Sequence, residues 1–131
     1  MRESKYMEQR SVLLVDDDPS VLHMLQFVMK RAGFYVLPAC SAEEALATWM
    51  VHKENIEAVI VDFELEGGRT GKQLLDRLTA ERAGLKTILL SDYPLADRLG
   101  GRVDQRDILQ KPYDIRSLIA AVKGRKPLKA A

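Results

Sequence analysis

The chain has a single cysteine, Cys40, in 131 residues. No internal disulfide can form, and a reducing cytoplasm is the expected compartment. Cys40 itself reads as a small buried hydrophobe near a strand end. Long apolar runs are also absent. The longest reach four or five residues, far short of the ~20 that span a bilayer, so membrane insertion is not expected. The first residues, Met1-Arg2-Glu3-Ser4-Lys5, are charged and lack the apolar stretch of a signal peptide. Neither sign of charge is in excess. Twenty Lys+Arg against nineteen Asp+Glu leave +1, which gives no electrostatic case for nucleic acid binding by this chain alone. Internal repeats and low-complexity tracts are missing too. The length leaves room for one ordinary domain and none for a separate catalytic or DNA-binding module. An apolar share of 47% is enough for a core and too much for disorder.

What the chain does have is a set of short apolar runs that end in polar chemistry. Val12-Leu13-Leu14-Val15 runs into three aspartates, Asp16-Asp17-Asp18. Ala58-Val59-Ile60-Val61 ends in Asp62, Thr87-Ile88-Leu89-Leu90 in Ser91, and Ile108-Leu109 passes through Gln110 into Lys111-Pro112. Short apolar runs between helical patterns read as buried parallel strands. Phe34 to Ala39 is a further strand candidate. In an open α/β sheet, the carboxyl ends of neighbouring strands converge on one crevice.

Helical patterns separate these strands. Val21, Leu22, Leu25, Val28, Met29 and Ala32 recur at helical spacing after Pro19-Ser20, and Gly33 stops the run. Ser41-Ala42-Glu43-Glu44 has the form of a capping box and opens a helix carrying Ala45, Leu46, Trp49 and Met50 on one face. Gly67 and Gly68 lie in the loop after Asp62. Thr70-Gly71-Lys72-Gln73 is a second capping box, before Leu74, Leu75 and Leu78. A weak helical segment spans about 94–99 and ends at Gly100-Gly101. The last helix starts near Asp114 and buries Ile115, Leu118, Ile119 and Val122. Five strands alternating with about five helices imply an α/β fold, a doubly wound five-stranded parallel sheet in a single domain.

Charge then dictates the chemistry. Carboxylates that converge in one crevice repel each other, so either their pKa values rise or a cation neutralises them. Hard oxygen ligands with incomplete protein coordination suit Mg²⁺, which keeps several waters and commonly binds a phosphate oxygen as well. Lys111 offers a cation and Ser91 a hydroxyl to phosphoryl oxygens. A carboxylate can serve as the nucleophile, and Asp62, alone on its strand end, is the better candidate than the triplet. Phosphoryl transfer depends mainly on positioning and charge neutralisation, which such a set supplies.

With Val15-Asp16-Asp17, Asp62, Ser91 and Lys111-Pro112 in this order and at these separations, the stretch from about Ser11 to Gly124 resembles the receiver domain of bacterial two-component response regulators. The resemblance implies a flavodoxin-like receiver fold with Asp62 as the phosphoacceptor. Asp17 would be a direct Mg²⁺ ligand, Asp16 would hold the metal's water, and the backbone carbonyl of Glu64 would be a further ligand. Ser91 and Lys111 would contact the phosphoryl group and couple it to a conformational change. The implied donor is a histidine kinase or a histidine phosphotransfer protein, and the output an unknown downstream protein. The implied chain is a signalling domain, not an enzyme, beyond self-catalysed phosphoacceptance and slow autodephosphorylation. Residues 11–124 would form the receiver, 1–10 an N-terminal extension and 125–131 a basic flexible tail. The chain is then either a single-domain regulator or a receiver excised from a hybrid kinase or longer regulator.

Three positions depart from the family pattern. Glu66 stands where proline is usual, Asp92 where a small residue follows the hydroxyl, and Ile108 where an aromatic precedes the lysine by three. Tyr113, after Lys-Pro, reads as packing. Asp18, next to Pro19, reads as a helix cap rather than a ligand. Two rival functions compete. A haloacid-dehalogenase-type phosphatase would use Asp16 as nucleophile and Asp18 as acid, yet Pro19-Ser20 replaces the expected Gly-Thr and no late acid pair follows Lys111. A flavin- or nucleotide-binding module would need a first loop rich in Ser, Thr and Gly, and three aspartates occupy that place.

Overall fold

The computed structural model describes residues 10–66, 70–92 and 107–124. Five strands form one sheet: β1 (Ser11–Val15), β2 (Tyr35–Ala39), β3 (Ile56–Asp62), β4 (Lys86–Ser91) and β5 (Asp107–Gln110). All neighbours pair in parallel, in the order β2-β1-β3-β4-β5. Four helices are described: α1 (Pro19–Arg31), α2 (Ala42–His52), α3 (Gly71–Glu81) and α4 (Ile115–Val122). The expected doubly wound parallel sheet is therefore present. The weak segment at 94–99, its stop at Gly100-Gly101, the loop glycines Gly67 and Gly68, residues 1–9 and the tail 125–131 lie outside the described residues. Among the described residues, no helix is long and apolar enough to cross a membrane.

The alternating direction of strand side chains builds two cores, one on each face of the sheet. Leu13 and Val15 of β1, with Val59 and Val61 of β3 and Leu89 of β4, pack under Ala45 and Trp49 of α2 and Leu74, Leu75 and Leu78 of α3. Val12 and Leu14, with Ala58, Ile60, Ile88 and Leu90, pack under Leu25 and Met29 of α1 and Leu118, Ala121 and Val122 of α4. Both faces being covered is why the strands read as continuous apolar runs rather than as alternating ones.

Local signals set the helix ends. Asp18 caps α1 by accepting the Ser20 N–H, Pro19 fills the first turn, and Gly33 follows the helix at φ +98°. Thr70 and Gln73 make a complete reciprocal capping box on α3. At α2 the box is modified: Ser41 accepts the Glu44 N–H, but Glu44 returns to the N–H of Cys40, one residue earlier than the cap. Two expectations need correction. Cys40 is exposed, because it lies just past Ala39, the last buried residue of the edge strand β2. Met50 is 61% exposed. At about 100° per residue it sits roughly 140° around the helix from Ala45, and Ala42 takes the inward place.

The chain runs from β1 to β2 on one side of the sheet and returns to β3 on the other. The strand order therefore reverses between β1 and β3. In such sheets this switch point opens a crevice at the carboxyl ends. Asp16 and Asp17 leave β1 there, beside Asp62 at the end of β3.

Candidate functional site

Asp16 follows the last residue of β1 and is 1% exposed. Its Oδ1 accepts the Asp18 N–H at 2.9 Å, while its Oδ2 is buried with no hydrogen-bond partner. Asp17 is half-buried, and its Oδ2 accepts the backbone N–H of Glu66 at 3.0 Å. Asp62, buried at the end of β3, accepts the Glu64 N–H on Oδ1 at 3.2 Å and faces Lys111 Nζ with Oδ2 at 3.3 Å. Each of the three aspartates offers a carboxylate oxygen within 4.8 Å of the other two.

The backbone holds this layer tightly. Phe63 donates to the Leu90 carbonyl and Gly71 to the Phe63 carbonyl, each at 2.8 Å. A Cβ at position 71 would meet the Asp62 carbonyl oxygen at 2.3 Å, so only glycine lets α3 start against the end of β3. Ser91 ends β4 with no exposure, and its carbonyl accepts the Lys111 N–H at 2.6 Å. That bond fixes where the lysine leaves β5, and from there its ammonium reaches Asp62 Oδ2. The Lys111–Pro112 peptide is cis.

Burial raises the Asp16 carboxyl to about 6; the Asp18 N–H pulls it down, and the charge of Asp62 pushes it up again. Asp62 is raised as well, chiefly by burial, with Asp92 adding to the rise and the Glu64 N–H and Lys111 opposing it. Burial also works against the Lys111 ammonium, but Asp62, Asp92 and Asp16 together outweigh it and hold the proton above the ordinary lysine range. The Asp62–Lys111 pair is thus ionised at the lysine, while the carboxylates bear the cost of burial. A buried carboxylate oxygen without a partner, in a layer of three acids facing one ammonium, is a place for a cation. Hard oxygen donors of this kind fit Mg²⁺.

The crevice therefore brings together Asp16, Asp17, Asp62 and Lys111, with Ser91 at the adjoining strand end. Glu64 lies two residues beyond Asp62 with its amide turned to that carboxylate and its side chain exposed. Asp18 acts as a cap. Tyr113 packs beside the α1–α4 core, as expected. Its phenol is raised by burial, and Lys111, Asp16 and Asp62 all act on it. Ile108 packs against the opposite core. The backbone donor at Glu66 was missed from sequence, since an amide leaves no trace in a side-chain motif.

The family model described as the response regulator receiver domain matches residues 12–123. The chain belongs to this family. It is 28% identical over 120 residues to the transcriptional regulatory protein YvrH of Bacillus subtilis (strain 168), covering 90% of this chain and 49% of that protein. It thus spans about half the length of that relative. The fold is that of a response regulator receiver protein from Sinorhizobium medicae WSM419, with a TM-score of 0.80, 23% identity, and 90% of this chain and 94% of that chain covered. It is equally that of the response regulator TrrA from Thermotoga maritima, solved in complex with Mg²⁺ and BeF, with a TM-score of 0.77, 24% identity, and 88% and 98% covered.

Proposed function

We propose that this chain accepts a phosphoryl group on Asp62, from a histidine kinase or histidine phosphotransfer protein, and signals through protein contacts. The observation that carries this reading is the cluster of Asp16, Asp17 and Asp62 oxygens with Lys111 Nζ at 3.3 Å from Asp62. A carboxylate oxygen of Asp62 forms a bond to phosphorus as the P–N bond of a phosphohistidine breaks. The imidazole leaves neutral, keeping the electron pair at the nitrogen that lost phosphorus and a proton at the other. Asp17, Asp62 and the Glu64 carbonyl would hold Mg²⁺, with Asp16 on its water; the ion supplies neutralisation of the phosphoryl charge. Lys111 keeps Asp62 ionised before transfer and pairs with a phosphoryl oxygen after it. The Ser91 hydroxyl donates to another phosphoryl oxygen.

Ile108 has no aromatic ring to rotate, so the signal passes through other contacts of this layer to an unknown downstream protein. The receiver occupies residues 11–124, flanked by an extension at 1–10 and a basic tail at 125–131, in a cytoplasmic protein. Asp18, which the phosphatase alternative needs as its acid, is exposed and caps α1, its Oδ1 accepting the Ser20 N–H at 2.9 Å. Incubation with Mg²⁺ and acetyl phosphate should add one phosphoryl mass to the wild type and none to Asp62→Asn, read by intact-mass spectrometry. Equal labelling of the variant contradicts the assignment.

A further inference from the structure

Residues 64–66 reach over the crevice from the end of β3. Two of their backbone amides point to carboxylates: Glu64 N–H to Asp62 at 3.2 Å and Glu66 N–H to Asp17 at 3.0 Å. The residue between them, Leu65, packs against the α2–α3 core. The Glu64–Thr70 bridge closes the loop behind them. Leu65 therefore anchors the segment from below, while the Glu64 amide closes back on the end of β3 and the Glu66 amide alone ties this segment to the end of β1, 49 residues away. Proline, usual in the family at the Glu66 position, has no N–H and cannot make that tie.

We propose that the Glu66 backbone N–H is a positioning group that presets the Asp17 carboxylate for a divalent cation. The proposal rests on the reading of Asp17 as a metal ligand. The hydrogen bond uses one lone pair of Oδ2 and leaves Oδ1 unengaged by it, so it orients the carboxylate without filling it. An Asp17 held in one rotamer loses less freedom when the cation arrives. The tie also makes the Phe63–Glu66 segment report on the metal, since whatever fixes Asp17 fixes the loop that carries Glu66.

The test compares Glu66→Pro with Glu66→Gln. Both remove the side-chain charge, and only proline removes the donor. Mg²⁺ is titrated into each ¹⁵N-labelled protein, and the amide shifts of Asp62 and Ser91 are followed. Glu66→Pro should raise the Mg²⁺ dissociation constant about three- to tenfold relative to Glu66→Gln, the span expected for one net hydrogen bond. Glu66→Gln should stay within a factor of about two of the wild type and keep a protected amide at residue 66. Equal affinities for the two variants overturn the positioning role, as does tighter binding by Glu66→Pro, which would make the amide a competitor of the cation. If the wild type itself shows no Mg²⁺ response, the metal reading of Asp17 fails together with the proposal. Unchanged far-UV circular dichroism in Glu66→Pro keeps a folding defect from imitating the loss.

Discussion

The two ends of β3 use polar groups in opposite ways. At its start, Trp49 Nε1 donates to Glu81 at 3.0 Å, Lys53 lies 3.7 Å from the same carboxylate, and the Arg82 guanidinium stacks over the Trp49 ring while donating to the Lys53 and Ile56 carbonyls. These groups are partnered, and Glu81 is lowered, first by the Trp49 hydrogen bond. At its end, Asp16 is buried with one oxygen orphaned, and burial raises both Asp16 and Asp62. One end satisfies its charges and holds α2, β3 and α3 together. The other leaves charge uncompensated within the protein, and that is where ligands belong. Satisfied polar groups stabilise; a buried carboxylate oxygen without a partner costs stability until a donor or cation reaches it.

The contrast can be broken first at its stable end. Arg82→Ala removes two bonds to backbone carbonyls and the ring contact, so urea unfolding should show a loss of about 2–3 kcal/mol. Mg²⁺ affinity and labelling of the folded protein should not change. A loss below about 0.5 kcal/mol would mean that the cluster is ornamental.

At the crevice, Asp92 follows directly on Ser91 and adds negative charge that acts on both Asp62 and Lys111. If its charge meets the incoming phosphoryl group at about 4 Å, the repulsion is roughly 1 kcal/mol in water and about 4 kcal/mol at an effective dielectric of 20. Asp92→Ala should therefore accelerate labelling by acetyl phosphate at least several-fold. The acceleration should shrink as salt rises from about 0.1 M to about 1 M and the Debye length falls from ~10 to ~3 Å. An unchanged rate with reduced stability would assign Asp92 to capping.

The smallest expected effect separates neighbours in the acid triplet. Asp18→Ala should cost about 1 kcal/mol as a lost cap and leave Mg²⁺ affinity intact, whereas Asp17→Asn should abolish most of that affinity. Calorimetric titration of both variants checks the division, and equal losses would erase it.

Much of this contrast was legible in the sequence because the crevice is written in side chains. Apolar runs ending in Asp16-Asp17, Asp62, Ser91 and Lys111 announce both the sheet and its site, and Asp18, Thr70 and Gln73 announce helix starts. The stable end was not legible. Trp49, Lys53 and Ile56 meet Glu81 and Arg82 only through tertiary packing, in hydrogen bonds that span 26 to 32 residues, and no local motif marks that meeting. Cys40 misled because sequence alone does not say which strand is the edge. Met50 misled because apolar character stood in for helix phase. The Glu66 amide carries no side-chain signature.

The central claim is that the crevice keeps buried carboxylates at the expense of stability, ready for a cation. Asp16 titrates near 6 in the fold against the ordinary 3.8. A raised carboxyl contributes stability fully below the unfolded pKa and loses it as pH rises through the folded one. Metal-free protein should therefore lose stability between about pH 4 and about pH 6, by up to about 3 kcal/mol for this displacement. Urea unfolding of the wild type and of Asp16→Asn across that range, with and without Mg²⁺, tests this directly. The account predicts that Asp16→Asn flattens the slope, is the more stable protein above about pH 7 without metal, and gains less from Mg²⁺ than the wild type does. An Asp16→Asn protein less stable than the wild type above about pH 7 without metal, or stabilised equally by Mg²⁺, would contradict it.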